Sequence, residues 1–300
     1  MKNKKIFVTG ALGFLGSALC RRLLSQGAYV TGFDRNPGNI QDLKSYNNFK
    51  YIKDDMKNIS GYKDMLLEQD IIFHLAANPS IHYANKFPIE DFKINALGTI
   101  ELLNPIKGTK IRLVYTSTIA VYPDNFGTKL KESDANPQSF YGLSKYTSEN
   151  YIRQFSRNYG LNYIIIRFGY LYGKGCNRGP IFDILNPIMN KSKIMLFQNP
   201  ENKLDFLYVE DAVDALIMAG LKNEITDETI NISEGKGTRI TDILRDAQSI
   251  FKMKKLLCDI SPNANMQKKE LVLDNTKSRK ILKWSAKTSL KEGLIKMSGR

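Results

Sequence analysis

Tyr141 and Lys145 stand four residues apart, so on a helix a phenol and an ammonium share one face a single turn from each other. An unperturbed phenol has a pKa of about 10 and acts as a base near neutral pH only where its phenolate is stabilised, which a neighbouring ammonium does. The same spacing occurs at Tyr46/Lys50 and at Tyr170/Lys174. Context selects Tyr141: it follows Pro137-Gln-Ser-Phe, opens an amphipathic helix running to about Tyr159, and lies just beyond a strand ending in Thr116-Ser117-Thr118. A hydroxyl at that strand end can hydrogen-bond to the substrate oxygen whose proton Tyr141 takes. Thr118 is assigned this role; Thr116 and Ser117 equally fit strand-end residues that cap backbone amides.

A second constellation lies near the start of the chain. The apolar run Ile6-Phe-Val-Thr9 leads into Gly10, Gly13 and Gly16 and then into a helix from Phe14 to Gln26. Gly10 allows a tight turn, Gly13 lets backbone amides reach a pyrophosphate with no Cβ in the way, and Gly16 lets the helix pack close on the strand. The amides from Leu12 through Phe14 and Leu15 to Gly16 then face the anion. A second strand ends at Asp34, 24 residues past Gly10, where a carboxylate accepts hydrogen bonds from an adenosine ribose. That carboxylate repels a 2′-phosphate and so favours NAD over NADP, while Arg35 beside it either lies over the adenine or turns to a phosphate.

These residues need a sheet whose strand ends converge. Runs at 5–9, 28–33, 50–53, 70–75, 111–117 and 162–168 read as strands, with helical patterns between most of them. The alternation predicts an α/β fold, a Rossmann-type doubly wound parallel sheet with a smaller C-terminal substrate-binding lobe. The dinucleotide-binding domain is expected over 1–172 with a returning segment at about 206–232, and the substrate lobe over 173–205 and 233–300. Ala76 and Ala77, after the strand 70–75, permit close approach of a cofactor. His74 reads as a core histidine, and His82 as a loop residue within reach of substrate but without a partner acid.

The 300 residues are 42% hydrophobic and 10% aromatic, ample for such a core. Cys20, Cys176 and Cys258 are widely separated, which gives neither a disulfide framework nor metal-ligand spacing and points to a reducing cytoplasm. The apolar run after Met1-Lys-Asn-Lys-Lys5 is broken by glycines, unlike a secretory signal, and no segment has transmembrane length. A net charge of +14 is spread over scattered lysines rather than an arginine-rich tract. This argues against nucleic acid and membrane as partners and agrees with a solvated surface receptive to anionic ligands.

Thr9-Gly10-x-x-Gly13-x-x-Gly16, Asp34, Asp55-Met56, His74-Leu-Ala-Ala77, Asn95, Thr118, Tyr141-x-x-x-Lys145 and Arg167 occur in the order that resembles the extended short-chain dehydrogenase/reductases, and more narrowly the NAD-dependent nucleotide-sugar epimerase/dehydratase family. The likeness continues through Asp205-Phe-Leu-Tyr-Val-Glu-Asp211 to Leu282-x-Trp284 and Ser289-Leu-x-x-Gly293. It implies NAD contacted by the glycine loop, Asp34, Arg35, Asp55, Met56, Leu75, Ala76, Ala77, Asn95, Thr116, Tyr141 and Lys145. It also implies a nucleoside-diphosphate sugar contacted by Asn78, Ser80, Thr118, Tyr170, Arg178 and Arg239, and chemistry that begins at C4 of the sugar. Lys145 would then bind the ribose as well as lower the Tyr141 pKa.

Departures from the family pattern narrow the reaction. Related 4,6-dehydratases carry two acids directly after the residue at 118, where this chain has Ile119 and Ala120. Decarboxylating relatives place Glu before Val-Tyr, where Ala120 stands, and fucose-synthase-like relatives use a Cys in this loop and a later His, both missing here. A 4-epimerase is expected, with a C4 dehydrogenase or 4-keto reductase as the alternative. Tyr170 replaces a usual Asn and Leu204 a usual Arg, positions at which the family contacts the diphosphate; Lys174, Arg178, Lys203 and Arg239 are the available substitutes, and the base is left open. A dinucleotide-sensing regulator is the reading of another class, opposed by the intact tyrosine–lysine pair. In the family two helices, here about 93–103 and 141–158, pair across a twofold axis, so a homodimer is expected.

Overall fold

β1 (Lys5–Thr9) lies inside a seven-stranded sheet, with four of its five residues buried. In chain order it is followed by α1 (Phe14–Ser25), β2 (Tyr29–Asp34), β3 (Phe49–Lys53), α2 (Lys63–Leu67), β4 (Ile71–His74), α3 (Ile81–Lys86), α4 (Pro88–Phe92), α5 (Gly98–Ile106), β5 (Arg112–Thr118), α6 (Phe140–Tyr159) and β6 (Asn162–Phe168). Next come β7 (Tyr170–Tyr172), α7 (Pro180–Met189), β8 (Ile194–Gln198), β9 (Lys203–Tyr208), α8 (Val209–Leu221) and β10 (Glu228–Ile232). β11 (Gly237–Arg239), α9 (Ile240–Ile250), β12 (Cys258–Asn265), β13 (Glu270–Leu271) and α10 (Leu290–Ser298) complete the chain. The structure is a computed structural model that describes residues 1–124 and 127–299.

The chain divides into two units, Met1–Pro123 with Ser133–Arg167 and Val213–Ile230, and Asp124–Glu132 with Phe168–Ala212 and Asn231–Arg300. The segment of the first unit that contains α6 and β6 thus ends at Arg167, five residues before the expected 172. Residues 206–212, expected in the returning segment, cluster with the second unit because β9 pairs there with β7, β11 and β13.

The large sheet runs β3-β2-β1-β4-β5-β6-β10 and is parallel, the Rossmann-type order expected, with its reversal of direction between β1 and β4. Registers Thr9↔Phe33, Thr9↔His74 and His74↔Tyr115 bring the ends of β1, β2 and β4 close to level, while β5 runs three residues further to Thr118. Phe7, Phe33, Ile72, Leu113 and Tyr115 form the core below that edge with Leu102, Leu103 and Ile106 of α5 and Ile152 of α6. Each such side chain contributes about 1.5–3 kcal/mol by leaving water. At the start of β5 the buried Arg112 donates from Nε and Nη2 to Ala219 O and from Nη2 to Lys222 O, which satisfies carbonyls at the end of α8 where a cation suits the helix dipole.

α6 is fixed at both ends and along its length. Ser139 Oγ accepts from Gly142 N at 3.1 Å, and Gly160 ends the helix at φ +69°. Glu149 takes a two-pronged contact from Arg167 of β6, Nε at 2.9 Å and Nη2 at 2.6 Å, and a further bond from Arg153 at 2.7 Å. Burial raises the proton affinity of Glu149, but the two guanidiniums outweigh it and hold its carboxyl below the ordinary range.

In the second unit the Asp205–Asp211 segment is structural. Asp205 is fully buried and accepts from Gly235 N at 3.1 Å and Leu273 N at 3.0 Å. Asp211 Oδ2 accepts from the amides of Lys287 and Thr288, and its carbonyl accepts from Trp284 Nε1 at 3.2 Å. Among the described residues no helix is long and apolar enough to cross a membrane, and no group of three metal-ligating side chains occurs.

Candidate active site

The three glycines of the first loop serve different ends. A Cβ on Gly10, at φ +67°, would press on Ala76 N at 2.8 Å, and one on Gly16 would collide with Gly10 O, so the chain's own packing demands both. Gly13 has φ −72°, and the nearest atom to a Cβ there would be Gly10 O at 3.4 Å, an ordinary contact. Nothing in the chain requires glycine at 13. What the missing Cβ leaves clear is the N-terminus of α1, which no side chain caps, and this fits the pyrophosphate of a dinucleotide.

Asp34 is oriented by Leu12 N and Asn36 N, each at 3.0 Å on a different carboxylate oxygen. A carboxylate has about four acceptor sites, so capacity remains for ribose hydroxyls. Arg35 leans to Asp55, 3.9 Å away across an exposed pair, while Asp55 also accepts from Lys57 N at the start of the turn Met56–Tyr62. The Met56 side chain is buried against Gly98, so only its backbone can face a cofactor.

Beneath this edge a hydrogen-bond chain has one consistent direction. Thr9 Oγ1 accepts from the amides of Leu75 and Ala76 at 3.2 and 3.1 Å, which leaves its proton for His74 Nδ1 at 2.7 Å. Thr99 Oγ1 donates to Asn95 O at 2.6 Å, so at 3.0 Å from His74 Nε2 it must accept. His74 is therefore the neutral Nε2–H tautomer. Burial, aided by the nearby Lys145 charge, pushes its pKa down to about 3. The satisfied core histidine read from the sequence is what the structure holds, and Ala76 and Ala77 follow it at the sheet edge. His82 is exposed on α3.

Of the strand-end hydroxyls, Thr116 donates to His74 O at 3.2 Å and Ser117 is buried, while Thr118 is partly exposed and accepts from Ala120 N at 3.2 Å. Thr118 thus keeps its own O–H to donate. A Cβ on Gly142 would collide with Ala120 O, so the first turn of α6 rests on the turn Ile119–Val121 that follows Thr118. Tyr141 is carried there. Lys145, one helical turn on, is 2% exposed with Nζ 4.1 Å from the centre of the Tyr115 ring. Burial pushes its ammonium down to about 7, against the opposing pull of Glu149 and Asp91. Tyr46/Lys50 and Tyr170/Lys174 start outside any helix, so their spacing shares no face.

Two residues expected to touch ligand turn inward instead. Asn95, assigned to the cofactor, sits in the π-helical turn Lys93–Leu97; its Oδ1 accepts from Asn78 N at 2.8 Å and its Nδ2 donates to Asp91 and Ser144. Asn78, assigned to the substrate, donates from Nδ2 to Asp91 at 2.7 Å. Both amides shape the loop after β4. Ser80 Oγ caps α3 by accepting from Tyr83 N. In the second unit Tyr170 packs on Phe206 and Leu204 is buried, while Arg178 is exposed before α7 and Arg239 lies 3.5 Å from Glu201 at the start of α9. Lys203 pairs with Glu270.

Asp91, Thr99, Ser144 and Ser148 escaped the sequence reading. Their signal was present as two polar stripes of helical spacing, 91/95/99 and 144/148, on otherwise apolar faces.

Comparison with known proteins agrees with this geometry. The model of the NAD dependent epimerase/dehydratase family matches residues 6–233. A putative UDP-glucose 4-epimerase of Methanocaldococcus jannaschii is 32% identical over 251 residues, 79% of either chain. The structure of the UDP-glucuronic acid 4-epimerase of Bacillus cereus in complex with UDP-glucuronic acid and NAD shares 27% identity, covers 97% of this chain and 96% of that one, and superposes with a TM-score of 0.89. The UDP-glucose 4-epimerase of Thermotoga maritima with UDP-glucose shares 26% identity over 98% and 97% of the two chains, with a TM-score of 0.89. A dinucleotide cradle with a buried tyrosine–lysine helix, matched along most of its length by that family, makes this chain an enzyme of the NAD-dependent epimerase/dehydratase family.

Proposed function

We propose that this enzyme is a UDP-sugar 4-epimerase. The observation that carries the reading is the strand end: Thr118 keeps a donor O–H beside the helix of Tyr141 and Lys145, and the adjoining Ile119 and Ala120 supply no acid to expel a C6 hydroxyl. NAD, held by the glycine loop and Asp34, would supply the acceptor, and later the donor, of a hydride. Thr118 orients the C4 hydroxyl and Tyr141 takes its proton as the C4–H electron pair leaves with the hydrogen. Lys145 holds the phenolate and a cofactor ribose hydroxyl. With hydride returned to the opposite face of the sugar, Tyr141 would give its proton back to the C4 oxygen, and the net change would be inversion at C4 with atoms and electrons balanced. Arg178 and Arg239 serve the diphosphate in place of the arginine and asparagine that the family uses, and the three free cysteines suit a cytoplasmic setting.

The test is incubation with UDP-glucose, UDP-N-acetylglucosamine and UDP-glucuronic acid, followed by proton NMR of the products. Conversion of one of them to its C4 epimer with no net consumption of NAD⁺ is expected. Loss of the C6 oxygen, or net oxidation with stoichiometric NADH, would overturn the assignment.

The same reading includes a homodimer. Ile89 (69% exposed) and Phe92 on α4, Leu97 in the following turn, and Phe140, Leu143, Tyr151 and Tyr159 on α6 leave an apolar face open. A second copy of that face, related by a twofold axis, covers it. Light scattering at micromolar concentration should give twice the mass of one chain, and Leu143→Glu with Tyr151→Glu should halve it.

A further inference from the structure

Asp91 is fully buried in α4 and has three donors aimed at it. Asn78 Nδ2 at 2.7 Å and Asn95 Nδ2 at 3.0 Å meet Oδ1, and Ser144 Oγ at 2.6 Å meets Oδ2. A carboxylate, an acceptor through both oxygens, receives all three. Asn78 belongs to the loop that continues from His74-Leu75-Ala76-Ala77, while Ser144 directly precedes Lys145. One side chain therefore ties the loop behind the cofactor edge to the first turn of the tyrosine–lysine helix.

The charge also has a direction. Lys145 Nζ lies over the Tyr115 ring of β5, Tyr141 stands one turn before it on the same helix, and the charges that act on it are those of Glu149 on its own helix and Asp91 on α4, with His74 of β4 neutral. Glu149 is already engaged by two guanidiniums, whereas the donors on Asp91 are neutral amides and a hydroxyl.

We propose that Asp91 is a positioning residue for NAD chemistry: its carboxylate fixes the Asn78 loop against α6, and its negative charge keeps Lys145 in the ammonium form that the Tyr141 phenolate needs. The inference uses NAD binding and the tyrosine–lysine pair and stands apart from the choice of sugar.

Asp91→Asn separates the two contributions. The amide can keep every contact, because Ser144 Oγ lies 3.0 Å from Tyr141 O and can turn its proton there while accepting from the new NH₂. Ser144→Ala removes a tether but leaves the charge. The experiment is calorimetry of NAD⁺ binding in buffers of differing ionisation heat between pH 6 and 9, which reads the protons released as the positive nicotinamide meets the pair. Removing a negative neighbour lowers every macroscopic pKa of the pair, however the proton is shared. The pH of half-maximal proton release should therefore fall by about half a unit or more in Asp91→Asn, and also in the smaller charge-free Asp91→Ser. It should stay in place in Ser144→Ala. An unmoved midpoint in the Asp91 variants, or an equal move in Ser144→Ala, overturns the proposal. Because no sugar nucleotide is present, failure of the epimerase reading appears separately, as absent turnover with normal proton linkage.

Discussion

The two units treat their acidic and hydroxylated residues differently. In the first, Thr9, His74, Asn95 and Asp91 are linked by hydrogen bonds through Thr99, and Asp34 is held by backbone amides, around the places proposed for the chemistry: Thr118, Tyr141 and the space above Gly13. In the second, Asp205 and Asp211 are consumed by backbone amides, and Arg178 and Arg239, proposed above for the diphosphate, sit exposed at the starts of helices. A reaction common to a family needs fixed atoms, so its residues are built into buried networks. Recognition of one nucleotide sugar among several needs only surface side chains at suitable sites, and those are free to change.

Breaking the first side of that contrast should have the largest effect. Tyr141→Phe keeps the ring but removes the base, and turnover should fall by about two orders of magnitude or more while calorimetric NAD affinity is preserved. A near wild-type rate would show that another group moves the proton. Gly13→Val should cut NAD affinity by about ten- to a hundredfold in a chain with native circular dichroism, since the added atoms enter only ligand space. Gly16→Val, where the added atoms enter the chain itself, should instead lose folded protein.

The second unit should respond more gently. Arg178→Ala and Arg239→Ala should each raise KM for the sugar nucleotide by a few-fold to about tenfold with kcat little changed, the mark of uniform binding lost. A fall in kcat alone would show that these arginines act on the reacting carbon rather than on the diphosphate.

The smallest effect concerns acid stability and His74. Its folded pKa of about 3 lies below the unfolded value of about 6.5, so between those limits the unfolded chain binds the extra proton. The contribution is fully present above pH 6.5 and is lost as pH falls toward 3, at up to about 1.4 kcal/mol per pH unit. The stability advantage of the natural chain over His74→Gln should narrow accordingly in urea titrations between pH 7 and 5. A constant difference would mean that His74 titrates alike in the folded and unfolded chains.

Much of the first unit was legible because its elements are local: the apolar strand runs, the glycine loop and the helix ending at Gly160 each announce themselves within a dozen residues. The functional assignments of Asn78 and Asn95 followed position in a motif, and only tertiary packing reveals that both amides face Asp91. In the second unit, β7, β9, β11 and β13 are two to six residues long and held by pairing distant in sequence, so no periodicity marks them. The same non-local pairing moved the domain boundary from 172 to 167.

The contact between Gly142 and the carbonyl of Ala120 is main chain on main chain. With no side chain interposed, it acts as a fixed datum, one that rotamer exchange does not alter. Variation in substrate range must then enter around this datum rather than through it. A library that randomises residues 119, 120 and 170 while holding 142 as glycine should yield active enzymes of altered preference, whereas any side chain at 142 resets the geometry for every substrate alike.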